Sequence, residues 1–160
     1  IVSANPRAVV LREKDLSPEI YRKLAEEVDQ ICREQDQMLI LNTAPAAAAQ
    51  LGMRKLHLPM SILRREGRPL DAERVGTSIH SLEEVKEAVR LGADYLFAGN
   101  IYETDCKKGL PGRGLDFLSQ VCMESSVPVY AIGGVNEERL PEILSTGAAG
   151  GCMMSGFMKL

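Results

Sequence analysis

The sequence predicts an α/β fold in which a parallel sheet is covered by helices. Short apolar runs alternate strictly with amphipathic stretches along the chain. The runs are apolar on both faces, as strands covered on both sides require. Periodicity leaves two architectures open, a doubly wound open sheet and a closed barrel. A third observation concerns the ligand end: glycine-rich turns follow the last two predicted strands, at Gly133-Gly134 and Ser155-Gly156.

The elements follow in order. Ala8 to Leu11 (AVVL) reads as a strand before a charged turn. Ser17-Pro18-Glu19 supplies an N-cap, a proline at the first helical position and an early acid. Ile20, Leu24, Val28 and Ile31 recur at helical spacing and predict an amphipathic helix over 18–35. Met38 to Leu41 is the next strand, Ala46 to Leu51 a short helix closed by Gly52, and Lys55 to Leu58 a brief strand. Val75 to Ile79 is another strand. Ser81-Leu82-Glu83-Glu84 then forms a capping box, in which Ser81 accepts from the Glu84 amide and Glu84 reaches back to the Ser81 amide. That helix runs to about Leu91. Tyr95 to Ala98 is a strand, and a polar, glycine-rich loop follows from Gly99 to Gly114. Leu115 to Glu124 is helical, Pro128 to Ile132 a strand, Glu137 to Ser145 a helix, and Cys152 to Met154 the last strand.

Composition narrows the function classes. A length of 160 residues predicts one domain. The net charge of −3 leaves no excess of Lys and Arg for a nucleic-acid backbone. No apolar run reaches the roughly 18 residues that span a bilayer, and no signal peptide is read at the start. A cytoplasmic protein without membrane or nucleic-acid partners is expected. Cys32, Cys106, Cys122 and Cys152 are far apart and form no C-x-x-C pair, so reduced thiols are expected rather than zinc ligands or disulfides.

In both candidate architectures, ligands bind at the C-terminal ends of the strands. Gly133-Gly134 lets a backbone approach a ligand closely, and Ser155-Gly156 opens the next helix, where free amides attract an anion. Together they predict a phosphate site. Arg12 and Lys14 lie two apart and would face one way on an extended segment, as a receiver for phosphate or pyrophosphate. Glu13 and Asp15 interleave with them, so a solvated charge cluster is the alternative. Asn42 follows a strand and could bind a ring or simply make a turn. His80 is a candidate acid or base, or only the residue ahead of the Ser81 cap. Ser78 could bond a ligand. Lys107 and Lys108 sit on a glycine-rich loop that can fold over a ligand.

These residues, taken in order, resemble the thiamine phosphate synthase/TenI superfamily. The resemblance covers roughly residues 8–157. It is carried by Val10 to Leu16 (VLREKDL), Asn42, Gly76-x-Ser78-x-His80-Ser81-x-Glu83-Glu84, Asp94-Tyr95, Glu103 to Gly109 (ETDCKKG) and Pro128 to Gly134. The ETDCKKG stretch is especially similar to TenI, the thiazole tautomerase. The family resemblance implies a (β/α)8 TIM barrel, here lacking its first strand and most of its last helix, so that residues 1–160 form a single barrel domain incomplete at both ends. Unpaired sheet edges would follow.

The resemblance implies three functional readings. The first is a TenI-like protein that binds a thiazole phosphate and isomerises it by metal-free proton transfer. Gly133, Gly134, Ser155 and Gly156 would hold the phosphate. Arg12, Lys14, Asn42, Ser78 and Lys107 would bind the rest of the substrate. The TenI pattern has a histidine where this chain has Asn100, which leaves His80, Glu103 and Cys106 as replacement proton carriers beside Asn100. The second is a thiamine phosphate synthase, which couples a pyrimidine pyrophosphate to a thiazole phosphate with magnesium. Its pattern has Gln at Val10, Asp at Thr43 and a second metal-binding Asp within Met60-Ser61-Ile62. Only this reading calls for a cofactor, Mg2+. The third is a non-catalytic phosphate-ligand-binding relative. A homodimer is compatible with each.

Overall fold

The computed structural model of the chain describes residues 5–42, 45–107, 109–155 and Phe157. It divides into two units. One comprises the chain up to Leu58 together with Arg68–Val75, the other Pro59–Gly67 and Gly76 onward.

In the first unit, β1 (Ala8–Leu11) and β2 (Met38–Leu41) pair in parallel, from Ala8 opposite Met38 to Leu11 opposite Leu41. Leu41 is also opposite Leu56 of β3 (Lys55–Pro59). Helix α1 (Pro18–Glu34) packs on β2, and α2 (Pro45–Gln50) joins β2 to β3. The start of α1 is as expected: Ser17 Oγ accepts from the Ile20 amide at 3.4 Å. Its buried stripe is not. Tyr21, Ala25 and Cys32 are buried, whereas Ile20 and Ile31 are 54% and 48% exposed. The Tyr21 hydroxyl donates to the Leu11 carbonyl at 3.4 Å, which turns that ring toward the end of β1. The helix face therefore sits one residue round from the one that hydrophobicity predicts, and Ala25 has no bulk to keep the helix off the sheet.

Strand β3 holds a residue that apolar patterning did not single out. Leu56, His57 and Leu58 are all buried, His57 to 1% exposure. Burial first, and then the Arg12 charge, push the His57 pKa down to about 3. The imidazole is therefore neutral at neutral pH.

In the second unit, β4 (Arg74–Ile79), from Gly76 onward, β5 (Tyr95–Gly99), β6 (Val129–Ile132) and β7 (Gly150–Cys152) pair in parallel in chain order. Each described unit thus runs its strands in sequence without the reversal that marks a doubly wound sheet. The last strand lies two residues earlier than Cys152–Met154. Its pairing runs through glycine, Tyr130 opposite Gly150 and Ala131 opposite Gly151, and glycine carries no strand signal in a sequence.

Among the described residues this unit has the α-helices α3 (Met60–Glu66), α4 (Leu82–Arg90), α5 (Gly114–Glu124) and α6 (Leu140–Ser145). Helix α3 was not expected. It buries Met60 and Leu63 and is tied to α4 by Arg64, whose Nε and Nη2 donate to Glu87 at 2.9 and 2.6 Å and whose Nη2 also meets Glu84 at 3.2 Å. The cap of α4 differs in one detail. Ser81 Oγ accepts from the Glu84 amide at 3.4 Å as expected, but the Glu84 carboxylate accepts from the His80 amide, at 2.6 Å, rather than from Ser81.

Alternation along β4 sorts its side chains between two faces. Thr77 and Ile79 are fully buried on one. Gly76 and Ser78 share the other with their register partners Tyr95 and Phe97. There Tyr95, Phe97 and Tyr130 form an aromatic cluster with ring centroids 5.4 to 6.2 Å apart. Gly76 makes room for it, since a Cβ there would lie 2.0 Å from the Tyr95 ring. No helix of the described residues is long and apolar enough to cross a membrane.

Two predictions follow from this packing. Gly76→Ala should destabilise the protein by about 1–3 kcal/mol, the scale of an overpacked core. Combining it with Tyr95→Leu should cost less than the sum of the two single changes, read by denaturant unfolding as a double-mutant cycle. The second concerns pH. Unfolded His57 titrates near its ordinary 6.5, while folded His57 refuses the proton until about pH 3. The unfolded chain binds more protons in that window, so stability falls as pH drops below 6.5. At pH 5 the loss is about 2 kcal/mol, from roughly 1.5 pH units at about 1.36 kcal/mol each. Urea midpoints between pH 7 and 5 should decline in the wild type and flatten in His57→Gln.

Candidate functional site

The sequence-predicted residues follow strand ends, as the fold class requires. In the first unit, Arg12 comes directly after β1 and is exposed. The chain bends from Lys14 to Leu16, so the extended geometry that would align Arg12 with Lys14 stops at Lys14, which is also exposed. Among the described residues neither side chain forms an ion pair, Glu13 and Asp15 included. Asn42 is half-buried, and its amide donates to the Leu11 carbonyl at 2.9 Å, extending the ladder past β2. Thr43 lies outside the described residues.

In the second unit, Ser78 is half-buried on the aromatic face of β4, and His80 is exposed just beyond the strand. His80 does more than precede the cap. Its Nδ1 is 2.7 Å from the Gly99 carbonyl at the end of β5. A carbonyl only accepts, so Nδ1 carries the hydrogen and, in the neutral ring, Nε2 keeps a free lone pair.

Asn100 follows the cis Gly99–Asn100 peptide and is 6% exposed. Its Nδ2 donates to the Tyr102 carbonyl at 3.3 Å and the Pro111 carbonyl at 3.4 Å, and its own carbonyl accepts from Arg113 at 2.9 Å. Both amide donors are spent folding the loop 101–113 back on itself. Gly112 is where the two legs touch: a Cβ there would lie 2.5 Å from the Ile101 carbonyl oxygen. The loop carries Glu103, exposed, and a short 3-10 turn, Asp105–Lys107, in which Lys107 is half-buried. The Cys106 side chain and Lys108 lie outside what is described.

After β6, Gly133 and Gly134 adopt φ values of 93° and 66°, the left-handed region that favours glycine. A Cβ on Gly133 would sit 2.5 Å from Asn100 Cβ, and one on Gly134 would sit 2.6 Å from the Glu103 carbonyl oxygen. The loop after β5 therefore rests directly on this turn. Three successive carbonyls of the turn are held: Ile132 by the Ile101 amide at 2.9 Å, Gly133 by the Tyr102 amide at 3.1 Å, and Gly134 by Arg139 Nη1. In a planar trans peptide the N–H points opposite to the C=O. The amides of Gly133, Gly134 and Val135 consequently face away from these tethers, and among the described residues they donate no hydrogen bond. Such a row of free amides is able to receive an anion.

After β7, Ser155 is exposed in a turn closed by the Phe157 amide on the Met154 carbonyl at 3.2 Å. Gly156 lies outside the described residues. Cys32, Cys122 and Cys152 are free thiols whose pKa values burial raises, that of Cys152 to about 11.

A magnesium site needs oxygen ligands and a carboxylate or two. Past β2 stand Asn42 and Thr43, and past β3 stand Met60, buried, then Ser61 and Ile62. None is a carboxylate, and the described residues hold no metal-sized cluster of His, Cys, Asp and Glu. The positions do not fit the ion.

Sequence reasoning missed His57, Tyr102, Arg139 and Glu142. His57 left a trace, a polar residue inside an apolar strand. The other three are brought together only by folding. Arg139 lies 4.2 Å over the Tyr102 ring, and the Tyr102 hydroxyl donates to Glu142. Burial first, then Glu142, pushes the Tyr102 pKa up to about 12.

The matching family model is described as thiamine monophosphate synthase, and it covers residues 1–157. A thiamine-phosphate synthase of Syntrophomonas wolfei is 34% identical, over 94% of this chain and 74% of that protein. One of Pyrococcus abyssi is 33% identical, over 94% and 74%. The solved thiamine phosphate pyrophosphorylase of Pyrococcus furiosus superposes with a TM-score of 0.84 at 27% identity, covering 99% of this chain and 78% of that one. The parallel strands in chain order, their alternation with helices and these matches agree on a TIM-barrel-like α/β fold. The chain belongs to the thiamine monophosphate synthase and TenI family.

Proposed function

We propose that this protein is a transferase of the thiamine phosphate synthase type, which couples a thiazole phosphate to a pyrimidine pyrophosphate and releases pyrophosphate. The observation that carries the reading is the row of unpaired amides at Gly133, Gly134 and Val135, suited to the phosphate of the thiazole partner. The names of its relatives support the coupling reaction over isomerisation. Gly133 and Gly134 bind the phosphate, and Ser155, from the turn after β7, adds a hydroxyl. Arg12 and Lys14 offer unpaired cations to the pyrophosphate. Asn42 and Ser78 bind ring atoms, and Lys107 brings a further cation from the loop after β5. Because the magnesium positions lack carboxylates, the charge on the leaving pyrophosphate falls to these side chains.

A second reading has its own support. The Gly99 carbonyl fixes one tautomer of His80 and leaves Nε2 as a base, which suits isomerisation of a carboxylated thiazole phosphate by proton transfer. Glu103 and Cys106 are its alternative proton carriers. Asn100 is not one, since an amide does not titrate and its donors hold the loop.

One pair of assays separates these readings. Full-length protein is incubated with thiazole phosphate and pyrimidine pyrophosphate, with and without magnesium, and thiamine phosphate is quantified by chromatography. In parallel, the carboxythiazole phosphate tautomer is followed by the NMR signals of its aromatic form. Thiamine phosphate formation is the expected result. Tautomer conversion without coupling would replace the leading reading with the second, and His80→Ala should then lower that rate roughly 10²-fold or more. Line broadening with neither product would make the protein a phosphate-binding relative without chemistry.

A further inference from the structure

The three carbonyl tethers of the phosphate turn are not equivalent. Ile101 and Tyr102 act through backbone amides, which any residue supplies, whereas Gly134 is held by a side chain, Arg139. Arg139 is itself fixed from two directions. Asn136 Oδ1 accepts from its amide at 3.0 Å, setting where the side chain starts. Its guanidinium lies over the Tyr102 ring at 4.2 Å, and Glu142 holds the Tyr102 hydroxyl. Among the described residues Arg139 pairs with no carboxylate, so its full charge stays beside the turn.

We propose that Arg139 is the positioning residue of the anion cradle. Resting on the reading that Gly133 to Val135 hold a phosphate, the inference adds what keeps them ready for it. By donating to the Gly134 carbonyl, Arg139 fixes the Gly134–Val135 peptide with its N–H outward. By stacking on Tyr102, the same guanidinium ties the cradle to the loop that carries Glu103, Cys106 and Lys107. A planar fork does both at once, and an ammonium does neither well. Arg139 does not touch the ligand. Its effect is on the phosphate end of the substrate alone.

The test compares two probes by calorimetry, thiazole phosphate and the unphosphorylated thiazole alcohol. Arg139→Ala should weaken thiazole phosphate roughly tenfold or more, the scale of one charge-assisted hydrogen bond, and leave the alcohol unchanged. Arg139→Lys should fail to restore the loss, because the charge returns without the fork. Tyr102→Phe keeps the ring and should stay close to wild type, while Tyr102→Leu should follow Arg139→Ala. Wild-type amide resonances of Gly133, Gly134 and Val135 should shift on adding the phosphate probe and lose that shift in Arg139→Lys. Should Arg139→Ala not fold, the lysine variant carries the same comparison. Equal losses for both probes would mark a merely structural residue, and rescue by lysine would mean that charge alone matters. Either result overturns the proposal while the cradle stands. A wild-type protein that binds alcohol and phosphate equally, with those amides unmoved, would remove the cradle itself and the proposal with it.

Discussion

The backbone after β5 lies directly on the backbone after β6, with no side chain between them. This approach demands glycine at 133 and 134, because a Cβ at either position would come within 2.6 Å of the opposing loop. It also accounts for the direction of the amides. Carbonyls that face the loop accept from it, and their N–H groups are left on the other side. The glycine pair needed for packing is therefore also the pair proposed to meet the ligand. Substituting either glycine would disturb the loop before it touched any ligand, so the side-chain tether is the better place to probe the site.

The same contact fixes the role of Asn100. The position is almost closed to solvent, and its amide satisfies two carbonyls of the loop it begins. A buried polar side chain keeps its place only when its hydrogen bonds are made. His80, by contrast, is exposed and anchored at one nitrogen only. Family membership and local chemistry pull in different directions here. The relatives bear the name of a coupling enzyme, while Thr43 and Met60 to Ile62 carry no carboxylate. Recognition of a substrate phosphate is common to both proposed readings.

Much of this was legible in the linear order of residues. Strands two-sidedly apolar, a proline after a serine cap, and glycines closing helices are local signals, and β1, β2, β3, α1, α4 and β6 fall within a residue or two of where they point. Errors came where a neighbour distant in sequence decides. Tyr21 displaces Ile20 from the buried face of α1 because a carbonyl of β1 is in reach. Helix α3 forms on two buried residues and an arginine that answers to α4. Strand β7 pairs through glycines that have no strand preference of their own. His80 anchors on Gly99, nineteen positions away.

The sequence by itself determined the fold class, the strand ends as candidate site positions, and the glycine turn after β6. These depend on periodicity and on backbone freedom, which each short segment carries alone. Only the tertiary structure decided that Asn100 serves the loop, that His57 is buried neutral, and that Arg139 and Tyr102 hold the turn. Each of those depends on burial or on a hydrogen bond between segments far apart in the chain, and such energies exist only once the segments meet.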